Sequence, residues 1–293
     1  MIVLDGGIGR HLEKMGAPFG QPEWSALSLI QEPDFVLRAH KDFIDSGADV
    51  ITTNSYAIVP FHIGKDRFEK EGKDLLNRAG NIAREAVKLY KKEIKIAASI
   101  PPVLGSYKPD VFNSEKAIPI LEIFKNNLIQ YCDLILAETL SSIDEIKTIQ
   151  RVFGDCKTPF WISLTIEDEY YNIPKLRSGE EIVTALRKID FNKISSVLFN
   201  CSQPEVMAKA IKVAKNLVPE NTSLGVYANA FQPIKIGQRD ANSQIRNTRQ
   251  ELTPEKYFDF VKEWNELEVD IIGGCCGIGP EHIKKICELK KNK

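Results

Sequence analysis

The sequence contains no long apolar segment and no excess of charge of either sign. No stretch approaches the roughly 18 consecutive apolar residues that a membrane-spanning helix needs, and the apolar run after Met1 is too short for a signal peptide. Lysine and arginine total 39 residues against 40 for aspartate and glutamate, so no broad basic surface attracts phosphates. These absences argue against a membrane protein and against a nucleic-acid partner, and they predict a cytoplasmic location.

Cysteine is also scarce. The chain has 6 cysteines in 293 residues, which is too few for the disulfide framework of a small secreted protein. In a reducing compartment such cysteines are free thiols or metal ligands. We interpret Cys132, Cys156 and Cys287 as packing residues, because none of them lies in a glycine-rich turn at the end of a predicted strand.

Short apolar runs alternate with longer amphipathic stretches along the chain, which is typical of repeated βα units around a parallel sheet. We predict strands at residues 2–4, 49–53, 94–100, 134–137, 160–164, 195–199, 223–227 and 269–272. Helices are predicted at residues 33–44, 77–90, 114–131 and 254–267. Eight units without a break in composition favour an α/β fold, a single (β/α)8 TIM barrel over residues 1–293, rather than an open doubly wound sheet.

Polar residues and glycines follow the predicted strands directly. The C-terminal ends of barrel strands converge on one face, and that face carries the active site in barrel enzymes. The residues predicted to lie there are Asp5, Gly6, Gly7, Thr53, Asn54, Ser55, Tyr56, Glu138, Thr139, Asn200, Cys201, Asn229, Cys275 and Cys276. Segments 107–114 and 231–252 are predicted to be long loops over the same face.

The run Gly273-Gly274-Cys275-Cys276-Gly277 is a strong local signal. Adjacent side chains on a regular strand point to opposite faces, so both sulfurs can reach one metal ion only if the chain turns there. The flanking glycines permit such a turn. Cys201 lies 74 residues before Cys275, at the end of the sixth predicted strand, and a barrel would bring it to the same mouth.

Three thiolates form a soft ligand set that suits Zn²⁺, and they leave a fourth tetrahedral position open, as catalytic zinc sites do. A free thiol with a pKa near about 8.5 would be deprotonated on binding at that position. The alternatives are a group of buried free cysteines and a structural zinc site with a fourth protein ligand. The sequence favours Cys201, Cys275 and Cys276 as ligands of a catalytic zinc ion.

Several motifs match one known family over almost the full length. They are Leu4-Asp5-Gly6-Gly7, Pro22-Glu23-Trp24-Ser25, the run from Gly47 to Tyr56, Ala137-Glu138-Thr139, Phe199-Asn200-Cys201 and Gly273-Gly274-Cys275-Cys276-Gly277. With these residues the chain resembles the homocysteine S-methyltransferases, a group that includes betaine-, S-methylmethionine- and cobalamin-dependent methionine-forming enzymes. The asparagine-cysteine and glycine-cysteine elements are highly specific together, whereas Asp-Gly-Gly alone is a weak signal.

The resemblance implies a barrel with zinc on the three cysteines and with homocysteine anchored near Asp5 and Glu138. Two carboxylates at the barrel mouth would bind the α-ammonium group of homocysteine by charge-assisted hydrogen bonds, and we predict both as catalytic and substrate-binding residues. Without the resemblance, the better interpretations are a turn residue for Asp5 and a helix-start residue for Glu138.

Trp24 and Tyr56 fall where the resemblance implies aromatic residues near the methyl donor. An aromatic face attracts a sulfonium or quaternary ammonium group by about 0.5–2 kcal/mol, although Trp24 could equally pack a loop onto the barrel. Asn54, Asn200 and Asn229 are predicted to bind the amino acid or to orient metal ligands through their amides.

Two stretches depart from the family pattern. Many relatives have Pro-Asn-Ser-Gly-Glu after the seventh strand, where this chain has Ala228-Asn229-Ala230-Phe231-Gln232. The glycine-containing turn that usually follows the third strand is replaced by residues 99–106, Ser-Ile-Pro-Pro-Val-Leu-Gly-Ser. Both loops are expected to border the substrate site.

The predicted reaction is direct methyl transfer from an onium donor to a zinc-bound homocysteine thiolate, which gives methionine. S-methylmethionine and S-adenosylmethionine are the favoured donors. One alternative keeps the metal and uses another thiol or selenol acceptor, and a second is a non-catalytic metal-binding barrel. The expected partners are small molecules, and nothing in the sequence predicts an oligomeric state.

Overall fold

The computed structural model describes residues 1–169, 171–234 and 246–291. Within them, one eight-stranded sheet is formed in which every pair of neighbouring strands is parallel. The strands are β1 (Ile2–Val3), β2 (Val50–Thr52), β3 (Lys95–Ile100), β4 (Leu134–Leu140), β5 (Phe160–Leu164), β6 (Ser196–Asn200), β7 (Ser223–Tyr227) and β8 (Ile271–Ile272).

The sheet closes on itself. Along it the strands run β1-β8-β7-β6-β5-β4-β3-β2, and a parallel bridge from Leu4 to Val50 joins its two ends. At this seam the backbone N–H of Asp5 donates to Val50 O at 2.9 Å, and that of Asp49 donates to Val3 O at 2.8 Å. Closure excludes the open doubly wound sheet and confirms the predicted (β/α)8 TIM barrel.

All eight predicted strands are present, with bounds that differ from the prediction by at most three residues. A strand that is buried on both faces reads as a continuous apolar run, and such runs are easy to recognise in a sequence. The largest difference is in β4, which continues to Leu140 through an irregularity in its pairing after Ala137. Thr139, within that irregularity, has a φ of 63°.

Helices connect the strands and surround the sheet. The α-helices are Ile8–Lys14, Ser25–Gln31, Pro33–Asp45, Pro60–Ile63, Lys65–Lys88, Ser114–Leu128, Ile143–Phe153, Ile182–Leu186, Pro204–Lys215, Pro254–Glu266, Pro280–Ile286 and Glu288–Lys291. Short 3₁₀ helices cover Pro109–Val111, Ile129–Tyr131 and Phe191–Lys193. Among the residues described, none of these helices combines the length and apolar character that crossing a bilayer requires.

The helix predicted at residues 77–90 is too short, because the actual helix begins at Lys65. Its first turns carry many charged residues, and these obscure the buried stripe that begins at Phe68 and continues through Leu75 and Leu76. The predicted starts near residues 33, 114 and 254 are confirmed by Pro33–Asp45, Ser114–Leu128 and Pro254–Glu266.

Capping side chains explain where several helices begin. Asn113 accepts a hydrogen bond from Lys116 N at 3.0 Å at the start of Ser114–Leu128. Ser142 and Glu145 form a reciprocal capping box before Ile143–Phe153. Each cap satisfies backbone N–H groups that have no partner inside the helix, so these helices start immediately after the polar loops at the strand ends.

The barrel interior has its own apolar cluster, separate from the larger layer between sheet and helices. In β4, Leu134 and Leu136 belong to the inner cluster whereas Ile135 and Ala137 belong to the outer layer, as the alternation of side chains along a strand requires. The remaining buried members of the inner cluster are Leu4, Val50, Ala97, Trp161, Leu198, Tyr227 and Ile271.

Closure also presses the loop after β1 against the loop after β8. Gly7 N donates to Ile278 O at 2.9 Å, and Gly274 N donates to Asp5 O at 3.0 Å. A Cβ atom on Gly6 would lie 2.1 Å from Ile278 O, and one on Gly7 would lie 2.6 Å from Cys275 O. Only glycine permits this approach of the two backbones, so these glycines set the position of the cysteine-bearing loop.

We therefore expect Gly6→Ala to destabilise the fold, because the clash is with backbone rather than with a flexible side chain. The free energy of unfolding should fall by about 1–3 kcal/mol or more, measured by urea denaturation. Gly20→Ala is the matched control, since a Cβ there meets no atom within 4 Å. Equal unfolding midpoints for the two variants would contradict the proposed clash.

Candidate metal centre

The barrel brings together the three cysteines that the sequence singles out. Cys201 directly follows β6, and Cys275 and Cys276 follow β8. Their sulfur atoms all lie within 4.8 Å of one another, and the Sγ atoms of Cys201 and Cys275 are 2.9 Å apart. Within residues 1–169, 171–234 and 246–291, no histidine or carboxylate joins this group.

A turn after β8 directs both adjacent cysteines to one site. Cys275 N donates to Ala228 O at 2.9 Å, and Cys276 O accepts from Ala230 N at 2.8 Å, so the turn is anchored to the segment after β7. Gly277 completes the turn with a φ of 84°. Cys201 itself adopts a φ of 51°, a conformation that is uncommon for a residue with a side chain and is found preferentially at functional sites.

The sulfur positions suit a tetrahedral thiolate-bound metal. With Zn–S bonds of about 2.3 Å, tetrahedral geometry places sulfur atoms about 3.8 Å apart, which lies inside the 4.8 Å limit of the cluster. The pair Cys201 and Cys275 would need to separate by roughly 0.9 Å to reach that spacing. Among the described residues, three sulfurs would fill three of the four tetrahedral positions.

The thiols interact strongly. Hydrogen bonds from Cys275 and Cys276 hold the pKa of Cys201 well below its usual range, whereas the contact with Cys201 raises the pKa values of Cys275 and Cys276. The three sulfurs are therefore close enough for each to change the pKa of the others. The donor atoms of a metal site are already oriented towards one another.

Asp5 and Glu138 line the same cavity as the three sulfurs. Asp5 accepts hydrogen bonds from Thr52 N at 2.7 Å and from Thr52 Oγ1 at 3.1 Å. Glu138 accepts from Ser99 Oγ at 2.5 Å and from Tyr227 Oη at 3.2 Å. Burial raises the pKa of Asp5 well above its usual range and that of Glu138 to about 7.

Trp24 and Tyr56 also line this cavity, whose volume is about 160 Å³. The Trp24 ring packs edge-on against Phe19, with 5.5 Å between the ring centroids. The Tyr56 hydroxyl lies 2.9 Å from Ser106 Oγ. Both predicted donor-site aromatics are therefore on the wall of the cavity that contains the sulfurs.

The three predicted asparagines are not among the residues that line the cavity. Asn54 Nδ2 donates to Ser25 O at 3.0 Å. Asn200 accepts from Thr139 N at 3.0 Å and from Ser163 Oγ at 2.8 Å, and so links β4, β5 and β6. In this structure both amides hold together the loops and strands behind the site.

Asn229 lies closer to the metal ligands. Its Oδ1 accepts from Gln203 Nε2 and from Phe231 N, each at 3.2 Å, and its amide is one of the groups that lower the pKa of Cys201. Its buried Nδ2 has no hydrogen-bond partner among the described residues, so both predicted roles of Asn229 stay predictions.

Sequence reasoning did not identify Tyr107, whose buried hydroxyl lies 2.8 Å from Cys201 Sγ. The guanidinium of Arg177 lies over the Tyr107 ring, 5.2 Å from its centroid. The Arg177 side chain is fully buried, and its Nη2 forms an ion pair with Asp168 Oδ1 at 3.0 Å. Tyr107 is the first residue of segment 107–114, which the sequence predicts to be a loop over the active face. That position is the only sequence signal that points to Tyr107. Arg10 and Phe231, also not selected, line the cavity.

The sequence model of the family described as "Homocysteine S-methyltransferase" matches residues 2–289. The chain belongs to the homocysteine S-methyltransferase family. Curated relatives include homocysteine S-methyltransferase 1 of Brassica oleracea var. italica, 28% identical over 99% of this chain and 93% of the relative. The selenocysteine methyltransferase of Astragalus bisulcatus is 27% identical over 98% of this chain and 91% of the relative.

Solved structures agree with the fold of this homocysteine S-methyltransferase. The metallated form of the homocysteine methyltransferase MmuM from Escherichia coli superposes with a TM-score of 0.80, at 21% identity, over 99% of this chain and 96% of MmuM. The oxidized form of MmuM gives a TM-score of 0.81. Membership of the family makes the protein a methyltransferase and removes the non-catalytic barrel from the alternatives.

The two stretches that depart from the family pattern both reach the cavity of this homocysteine S-methyltransferase. Ser106 and Tyr107 come from the loop after β3, and Phe231 comes from the loop after β7. The part of the predicted loop at residues 231–252 that falls on 235–245 lies outside the described residues. The departures therefore change side chains on the wall of the site and leave its three sulfurs in place.

We predict that Tyr107→Phe weakens metal binding. The substitution removes the hydroxyl beside Cys201 and keeps the ring, and the loss of such an outer contact lowers metal affinity by about 10- to 100-fold. Zn²⁺ affinity is measured by competition with a chromophoric chelator. Tyr131→Phe is the control, because the Tyr131 hydroxyl bonds Asn77 at 3.0 Å, away from the cysteines. An unchanged affinity in Tyr107→Phe would refute the contribution of this hydroxyl.

Proposed function

We propose that this homocysteine S-methyltransferase holds Zn²⁺ with Cys201, Cys275 and Cys276 and methylates homocysteine from an onium donor to give methionine. The observation that carries the proposal is the convergence of three sulfurs and two buried carboxylates on one cavity. Zinc bound there would lower the pKa of an incoming thiol and so supply a thiolate at neutral pH. We expect the protein to be in the reducing cytoplasm, which would keep its cysteines as free thiols. We also propose that residues 1–293 form one domain.

The carboxylates of Asp5 and Glu138 are the proposed anchors of the amino acid. Each already accepts hydrogen bonds from neighbouring hydroxyl or amide groups, which fix its orientation. An α-ammonium group between them would offset the burial that raises both pKa values, because an opposite charge favours the ionised carboxyl. The side-chain sulfur of an amino acid held there would face the same cavity as the three cysteines.

Methyl transfer itself requires little further chemistry from the chain. A lone pair on the thiolate sulfur forms the new S–C bond while the bond from the methyl carbon to the positive sulfur or nitrogen breaks, and the donor leaves as a neutral sulfide or amine. No proton is needed for that departure, so a general acid is not required. The residues supply proximity and alignment, and S-methylmethionine and S-adenosylmethionine remain the favoured donors.

A selenol acceptor is the second candidate. The observation that favours it is the similarity to the selenocysteine methyltransferase of Astragalus bisulcatus over 98% of this chain. A selenol carries the same amino-acid end as a thiol substrate and would use the same anchors. Selenocysteine differs from homocysteine in its reacting atom and in having one methylene fewer, so direct competition between the two acceptors distinguishes the two functions.

The proposal is tested with zinc-loaded protein, a panel of onium donors, and homocysteine or selenocysteine as acceptor, with the methylated product detected by mass spectrometry. Cys275→Ser should lose zinc and lower kcat at least roughly 100-fold. Cys156→Ser should retain both, because Cys156 lies outside the metal cluster. Treatment with a chelator should abolish activity and Zn²⁺ should restore it. Full activity in Cys275→Ser would overturn the metal mechanism.

The raised pKa of Glu138 predicts the pH dependence of substrate capture. Because this carboxyl ionises only around pH 7, and only the carboxylate attracts an ammonium group, kcat/KM for homocysteine should rise between about pH 6 and pH 8. Glu138→Gln should lower kcat/KM by about 10- to 100-fold and remove this limb of the profile. The exposed Glu263→Gln serves as control, and the same limb in Glu138→Gln would assign the titration to another group.

A further inference from the structure

Arg10 places a fixed positive charge on the wall of the proposed active site. It belongs to helix Ile8–Lys14, directly after the loop that carries Asp5, and it lines the same cavity as the three cysteines. Its side chain is only 12% exposed. An arginine does not lose its proton in a protein, so any ligand of this cavity meets a permanent cation.

Three aromatic rings surround the Arg10 guanidinium. Its central carbon lies 5.8 Å from the ring centroid of Phe19, 5.9 Å from that of Trp24 and 5.5 Å from that of Phe231. These are distances at which a ring attracts a cation. One of these rings, Trp24, is a residue expected to receive an onium donor, and it already contacts a cation of the protein.

The guanidinium retains capacity for a ligand. Nη1 donates to Glu13 at 2.5 Å, and Nη2 donates to the backbone oxygen of Arg246. The buried Nε has no partner among the described residues, and Glu13 is 41% exposed, so its charge is partly screened by solvent. Arginine presents its donors in a planar fork that matches the two oxygens of a carboxylate.

Arg10 and the two carboxylate anchors have different hydrogen-bond partners. Asp5 is bonded to Thr52, and Glu138 to Ser99 and Tyr227. Arg10 is bonded instead to Glu13 and Arg246. The carboxylate of homocysteine is on the same carbon as its ammonium group and so stays beside Asp5 and Glu138. The anion that Arg10 can bind therefore belongs to the second substrate.

We propose that Arg10 binds a carboxylate of the methyl donor, so that the enzyme selects onium donors that carry a carboxylate and discriminates against onium donors that lack one. This inference rests on the proposed function. A bare onium group near Arg10 meets a like charge at short range, which disfavours binding. A donor with a carboxylate pairs that group with Arg10 and leaves its methyl group free to face the sulfurs.

The test compares S-methylmethionine with its decarboxylated analogue, (3-aminopropyl)dimethylsulfonium, on zinc-loaded enzyme. In the wild type, kcat/KM should be about 10- to 100-fold higher for the donor with the carboxylate. Arg10→Leu should reduce that ratio towards 1, mainly through KM for the donor, and Arg10→Lys should retain part of it because it keeps the charge. Arg38→Leu is the control, since Arg38 stacks on Phe35 at 4.0 Å and does not line the cavity.

An unchanged ratio in Arg10→Leu, or an increase confined to KM for homocysteine, overturns the assignment of Arg10 to the donor. Calorimetric titration of both sulfonium compounds into wild type and Arg10→Lys separates this outcome from failure of the proposed function. Carboxylate-dependent binding without turnover overturns the methyl-transfer function and supports the role of Arg10. Turnover with a donor ratio that is independent of Arg10 supports the methyl-transfer function and overturns the role of Arg10. Absence of both binding and turnover overturns the function and the role of Arg10 together.

Discussion

The contact between the loops after β1 and β8 determines the geometry on which the rest of the site depends. Gly6 and Gly7 allow two backbones to approach to a distance that no other residue permits, and Gly7 bonds directly to Ile278. The same contact brings Asp5 and Cys275 to one cavity. A packing requirement of barrel closure thus places Asp5, the proposed amino-acid anchor, at the same cavity as Cys275, a proposed metal ligand, although the sequence separates them by almost the whole chain.

Charge is distributed unevenly around that cavity. Buried carboxylates lie at the strand ends, sulfurs lie at the turn after β8, and a guanidinium lies among aromatic rings on the loop side. Each group would be costly to bury without a partner, and hydrogen bonds or rings accompany each of them here. The proposed substrates bring an ammonium group for the carboxylates, a thiol for a metal on the sulfurs and a carboxylate for the guanidinium.

The strands and the cysteine cluster could be predicted from the sequence, whereas several contacts within the site could not. Buried parallel strands read as apolar runs, and the paired cysteines between glycines are a distinctive local pattern. Tyr107 and Arg177 give no such pattern, because their contact at 5.2 Å exists only after two distant loops fold over the barrel. Asn200 illustrates the converse, since the sequence suggested that its amide binds the amino acid or orients a metal ligand, and the structure shows this amide linking three strands.

The order of strands around the barrel also affects how the protein matures during synthesis. β1 emerges first from the ribosome, yet one of its two neighbours is β8, whose residues are made more than 260 positions later. One edge of β1 therefore stays unpaired until β8 has been synthesised. Cys275 and Cys276, which carry two of the three sulfurs, are synthesised directly after β8. A nascent chain interrupted before this point has neither a closed barrel nor all three cysteines, so the proposed metal site can form only after β8 and the turn that follows it have been made.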